Sequence, residues 1–133
     1  MSLLALDWGQ KHVGYASADP DGTVITPRGS LERKAAAENT WKLSKNDLNA
    51  IKKITEEWEV DKIILGLPLN SDGSDSASSN AARALAKDME EKLKLKVILV
   101  DERLTSWEAK GKNNHAEAAA LIMQNYFRTK GKL

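Results

Sequence analysis

Three short apolar runs set the strongest limit on how this chain can fold. They are Leu3-Leu4-Ala5-Leu6, Ile63-Ile64-Leu65 and Val97-Ile98-Leu99-Val100. All are too short for buried helices, which need roughly ten residues or more. The first runs into Asp7 and Gly9, the second into Gly66-Leu67-Pro68, and the third into Asp101-Glu102. Buried strands that stop at an acid or a tight turn leave this pattern.

Between them the punctuation is legible. Val13 to Ser17 alternates weakly and reads as a second strand, and Asp19-Pro20-Asp21-Gly22 carries Pro and Gly where a turn favours them. Thr23-Val24-Ile25-Thr26 is rich in β-branched residues and reads as a third strand, completing an antiparallel meander. Pro27 to Thr40 is polar and carries no periodic signal. Ser44 stands as an N-cap with Asp47 at the capping-box position. Leu48, Ile51, Ile54, Thr55 and Trp58 then recur at helical spacing to about Glu59. Asn70 to Ser79 reads as a surface loop and about Ser79 to Leu93 as a helix. A last helix spans Asn114 to Phe127, capped by Asn113 or Asn114, and the basic tail 128–133 reads as frayed. The order β-β-β-α-β-α-β-α predicts an α/β fold. Its mixed five-stranded sheet has three antiparallel meander strands plus parallel strands, flanked by helices in a single domain over 1–133.

Composition narrows the functions. The chain has 133 residues, enough for one contiguous core. It has no cysteine, which excludes disulfides, zinc ribbons and thiol catalysis. No run approaches the roughly 18 apolar residues of a membrane span, and the N-terminus meets Asp7 too early for a signal peptide. A cytoplasmic protein without a membrane partner is expected. Net charge is +1, so bulk electrostatics neither argue for nor against nucleic acid.

The chemistry lies in acids at strand ends. Ligands of open α/β sheets collect at the carboxyl ends of the parallel strands. Asp7 ends the first strand and Asp101-Glu102 the fifth, and acids meeting there would make an oxygen-rich site suited to Mg²⁺ or Mn²⁺. Two such ions ~4 Å apart can activate a water and stabilise the leaving oxygen of a phosphodiester. Neighbouring strand residues face opposite ways, so Asp101 and Glu102 cannot both enter one site.

Four segments resemble the YqgF/RuvX family, also described as Holliday-junction resolvases or pre-ribosomal RNA nucleases. Leu6 to Gly14, LDWGQKHVG, is similar to the family's LDxGxKRIG. Ile64 to Ser74, ILGLPLNSDGS, is similar to IVIGLPLNMDGS. Val100 to Ser106, VDERLTS, is similar to VDERLTT, and Glu117 to Phe127 resembles the closing helix AAxxILQxYL. The segments occur in the family's order and span nearly the whole chain. The resemblance implies a ribonuclease H-like fold and divalent-metal phosphodiester chemistry on structured nucleic acid, either a ribosomal RNA precursor or branched DNA. It also selects Glu102 over Asp101.

Carried over by position, Asp7 matches the family's first acid and Glu102 its second. The third is an Asp ahead of the final helix's Ala pair, and His115 stands there instead. The expected catalytic and metal-binding set is therefore Asp7, Glu102 and His115. An imidazole there shifts preference toward Mn²⁺, serves as a proton shuttle, or marks a weakened site. Lys11, Asn70, Ser74, Arg83, Arg103 and Thr105 are the expected substrate contacts. Trp8 offers either base stacking or packing, with packing the default, and Trp58 falls on an apolar helix stripe. The family usually has a longer element where this chain has only Trp107 to Asn114. Two other functions compete with the nuclease: a non-catalytic nucleic-acid-binding module and an ATP-binding relative. The second needs two lobes, which this length does not supply. Either a monomer or a homodimer is compatible with the pattern.

Overall fold

The computed structural model describes residues 1–33, 40–102 and 114–130. In chain order its elements are β1 (Ser2–Trp8), β2 (His12–Ala18), β3 (Ile25–Glu32), α1 (Lys45–Glu57), β4 (Val60–Leu67), α2 (Ala77–Leu93), β5 (Lys96–Asp101) and α3 (His115–Lys130). The strands form one sheet in the order β3-β2-β1-β4-β5. β1–β2 and β2–β3 are antiparallel, whereas β1–β4 and β4–β5 are parallel. Among the described residues no helix is long and apolar enough to cross a membrane.

β1 is the middle strand, and its side chains alternate between two cores. Leu4, Leu6 and Trp8 pack with Ile51 of α1 and with Leu85 and Met89 of α2. Leu3 and Ala5 pack on the other face with Ala119, Ile122 and Met123 of α3. A strand buried on both faces has no polar side to show, hence the unbroken apolar run in the sequence.

The helix starts follow from local chemistry. The Ser44 hydroxyl accepts from the Asp47 N–H at 3.1 Å, and the Asp47 carboxylate accepts from the Ser44 N–H at 3.2 Å. α2 starts earlier than its sequence pattern suggests, because Ser76 is its cap and Ser79 the reciprocal partner, at 3.0 and 2.7 Å. Asn114 caps α3, accepting from the Glu117 N–H at 3.0 Å. The expected frayed tail over 128–133 is corrected for its first three residues: α3 continues to Lys130, the Thr129 hydroxyl donates to the Asn125 carbonyl at 3.0 Å, and 131–133 lie outside the described residues. The third strand is also corrected. It runs over Ile25–Glu32, and Thr23 and Val24 belong to the preceding turn, in which the Asp19 carboxylate accepts from the Val24 N–H at 3.0 Å. β3 is an edge strand, so it tolerates Pro27 and alternates weakly, which hides it in a sequence.

Arg33 lies where the sequence carries no signal, yet it ties several segments together. Its guanidinium donates to the carbonyls of Gly9 (2.8 Å), Thr40 (2.7 Å) and Lys42 (2.9 Å), and to Asp47 at 3.1 Å. It also lies 4.8 Å from the centroid of the Trp8 ring. The Arg33 and Asp47 side chains are only 4% and 9% exposed. Removing one member of a buried ion pair strands the other charge. Asp47→Ala is therefore expected to destabilise the fold by about 3–5 kcal/mol in urea denaturation. The paired replacement Arg33→Met with Asp47→Leu should lose clearly less, and equal losses would contradict this role.

Candidate active site

Asp7 stands between two glycines. It pairs in register with Gly14 of β2, and one step past the Leu6–Leu65 pair brings it beside Gly66 of β4. Strand alternation puts Asp7 on the α3 face, with Leu3 and Ala5. Both glycines are bare on that face for a reason. A Cβ at Gly14 would strike the backbone carbonyl of His115, and one at Gly66 would strike the Glu102 carboxylate, with Ile122 also only 2.9 Å away. The start of α3 thus docks on one side of Asp7, and Glu102 crosses β4 from the other.

Glu102 follows β5 directly, and its backbone N–H donates to the Leu67 carbonyl at 3.3 Å. Burial, and then the negative charges of Asp7 and Asp101, push its carboxyl up to about 7. Burial also raises the Asp7 carboxyl, an effect opposed by the His115 charge. Asp7, Glu102 and His115, from the ends of β1 and β5 and the start of α3, therefore share one electrostatic site. The Asp101 charge acts on Glu102 as well. Asp101 is the last residue of β5, and its carbonyl accepts from the Asn125 side chain at 2.8 Å.

His12 was absent from the expected set. It lies two residues before Gly14 on β2, hence on the same face, and its ring stacks on His115 at 4.7 Å between centroids and 20° between planes. Hairpin register would have revealed it: if Gly14 lies opposite Asp7, position 12 points the same way. Among the described residues, no three His, Asp or Glu side chains stand in position to hold one metal ion.

The expected substrate contacts fall into separate groups. Lys11 is exposed in the turn between β1 and β2. Asn70 and Ser74 lie in the exposed loop after β4 and bind each other, the Asn70 amide donating to the Ser74 hydroxyl at 3.1 Å. Ser74 in turn donates to Asp72 at 2.6 Å through its hydroxyl. Arg83 reaches back from α2 to an exposed 3.1 Å ion pair with Asp75. These hydrogen bonds shape the loop and join it to α2. Arg103 and Thr105 lie outside the described residues, as does the stretch from Trp107 to Asn113. Trp8 points away from Asp7, is buried under Arg33, and donates to the Thr40 carbonyl at 2.6 Å, so its role is packing. Trp58 caps the end of α1 and packs against the same core.

A family model described as "RuvX: Holliday junction resolvase" matches residues 1–129. A protein of Alcanivorax borkumensis named "Putative pre-16S rRNA nuclease" is 35% identical over 133 residues, covering 94% of this chain and 94% of its own length. One of Anaeromyxobacter sp. (strain K) with the same name is 33% identical over 139 residues, covering 95% and 96%. Two solved structures share the fold. T. thermophilus RuvC in complex with Holliday junction substrate superposes with a TM-score of 0.56 at 11% identity, over 99% of this chain and 96% of that one. Fowlpox virus resolvase in complex with Holliday junction DNA gives 0.58 at 12% identity, over 97% and 98%. The architecture is ribonuclease H-like.

The raised Glu102 pKa has a consequence for stability. Below pH 4.5, its ordinary value, Glu102 is protonated in both the folded and the unfolded chain. Between 4.5 and about 7 the unfolded chain releases the proton while the folded chain keeps it. Stability therefore falls as pH rises through that window, by about 3 kcal/mol in total. In chelator-treated protein, Glu102→Gln should match the parent at pH 4 and exceed its unfolding free energy by about that amount at pH 8. A difference that does not change with pH would contradict the assignment.

Proposed function

The chain belongs to the RuvX family, and on that basis we propose that it is a metal-dependent nuclease hydrolysing phosphodiester bonds of structured nucleic acid, foremost a ribosomal RNA precursor. The observation that carries this reading is the Glu102 carboxylate lying over Gly66, where the negative charge of Asp7 reaches it.

The donor chemistry fits a hard divalent cation. Burial opposes the ionisation of both carboxylates, the Asp7 charge adds to it at Glu102, and a nearby cation reverses that balance. Asp7 and Glu102 would hold Mg²⁺ or Mn²⁺, and His115, whose charge acts on Asp7, stands beside them. Bound in a pair, such ions supply a water of lowered pKa and neutralise charge on the leaving oxygen. The protein itself does the positioning. Gly14 lets His115 approach Asp7, Gly66 admits the Glu102 carboxylate, and Lys11 offers an exposed ammonium in the turn that follows Asp7. The loop at Asn70 and Ser74, braced by Arg83, follows β4 at the same end of the sheet and gives the substrate a preformed surface.

The relatives' names favour ribosomal RNA, and the family description favours branched DNA as a second reading. Two-fold branched DNA suits a homodimer, whereas an RNA end requires only a monomer. A cleavage panel of small-subunit ribosomal RNA precursor, single-stranded RNA and four-way DNA junction, with Mg²⁺ or Mn²⁺, tests both. Cleavage of the precursor is expected, with complete loss on chelation. Asp7→Asn and Glu102→Gln should each lower the rate by roughly 10³ or more, equivalent to several kcal/mol of lost transition-state stabilisation. Binding without cleavage under every condition would replace the nuclease reading with that of a non-catalytic nucleic-acid-binding module.

A further inference from the structure

We infer that Arg33 is a positioning residue of the active site, fixing the turn between β1 and β2 so that Lys11 meets substrate from a preset backbone. The inference rests on reading Lys11 as a substrate contact and adds the residue that sets its place.

The turn is short and is tied at both ends by one side chain and its own backbone. The β1–β2 ladder closes at the Trp8–Val13 pair, and a Cβ at Gly9 would stand only 2.7 Å from the His12 carbonyl oxygen. The Arg33 backbone N–H donates to the Lys11 carbonyl at 2.8 Å, and its guanidinium donates to the Gly9 carbonyl at 2.8 Å. The other guanidinium N–H groups go to the Thr40 and Lys42 carbonyls and, at 3.1 and 3.3 Å, to the Asp47 carboxylate. All five donors of the fork are in use, and the Trp8 ring backs it at 4.8 Å.

Such a fork is a device for geometry more than for stability. A buried ion pair is often no more stabilising than apolar side chains of similar volume, whereas a rigid planar fork constrains every group it binds. Here it constrains the turn that begins two residues after Asp7 and exposes Lys11. Arg33 is buried on the Trp8 side of β1, away from Asp7, so it reaches substrate only through that turn. Asp7 is held separately, by its ladder position opposite Gly14, so loss of Arg33 is felt first at Lys11.

A mutant cycle tests this. Its arms are Lys11→Ala and the paired Arg33→Met with Asp47→Leu, and its probe is a fluorescein-labelled fragment of small-subunit ribosomal RNA precursor, bound with chelator present. Lys11→Ala is expected to weaken binding about three- to tenfold and to lower the slope of log K against log salt by about 0.7. The paired variant removes a buried pair of no net charge, yet it should reproduce both changes. Adding Lys11→Ala to it should alter affinity by less than about twofold. Additive effects, a paired variant with parental affinity and slope, or a parent indifferent to Lys11→Ala would each overturn the inference. Backbone ¹⁵N relaxation of the RNA-free parent needs no variant: Gln10 and Lys11 should be as rigid as the strands they join. A turn as mobile as an ordinary exposed loop would contradict the inference even if every Arg33 variant failed to fold. Should the cycle hold while the parent cuts no nucleic acid, the nuclease reading falls and Arg33 keeps its role in binding. Should the cycle fail while Asp7→Asn abolishes cleavage, the nuclease reading stands without it.

Discussion

The absence of side chains at Gly14 and Gly66 is what the site depends on. Asp7 lies on the middle strand of a five-stranded sheet, flanked on one face by these two glycines. On an ordinary sheet surface both neighbours would carry a Cβ, and the space beside Asp7 would be filled. Here the His115 backbone occupies one gap and the Glu102 carboxylate the other. The sheet thereby brings Asp7, Glu102 and the start of α3, widely separated in sequence, side by side. The price is electrostatic: two acids share a poorly solvated space, which raises both their pKa values.

The two faces of the sheet divide the work. The face toward α1 and α2 holds the larger core, and Arg33 locks its rim by joining Asp47 to the Gly9, Thr40 and Lys42 carbonyls and the Trp8 ring. Because Trp8 and Gly9 directly follow Asp7, this clamp also holds the end of β1 from behind. The other face is closed by α3, whose Ala118, Ala119 and Ala120 are small enough for the helix to lie close on the sheet. Close approach there is what brings His115 down to Gly14. The larger core thus lies on one side of β1, and Asp7 with the start of α3 on the other.

What a sequence can reveal follows from how local each determinant is. The Ser44–Asp47 box, the Asn114 cap and the doubly buried run Leu3–Leu6 are set by a few adjacent residues, and they were legible. The placement of Asp7 and Glu102 at the ends of β1 and β5 was legible because short apolar runs mark the strands and acids follow them directly. β3 was misplaced because an edge strand with half its surface in water does not need the apolar alternation that marks a strand. The stacking of His12 on His115 was not legible because it depends on a cross-strand register and on a helix more than a hundred residues later. Arg33 was missed because a buried arginine looks the same in sequence as a solvated one. Asn70, Ser74 and Arg83 were identified from the resemblance, but their hydrogen bonds within the loop emerged only from the fold.

The central claim is that Asp7 and Glu102 are close enough to feel each other's charge. Carboxyl-carbon NMR titration of the metal-free protein, labelled with ¹³C in Asp and Glu, measures this directly. The Glu102 resonance should titrate at about 7 in the parent and at a clearly lower pH in Asp7→Asn, where one source of repulsion is gone. A Glu102 that titrates in the ordinary carboxylate range in the parent, or does not respond to Asp7→Asn, would contradict the account.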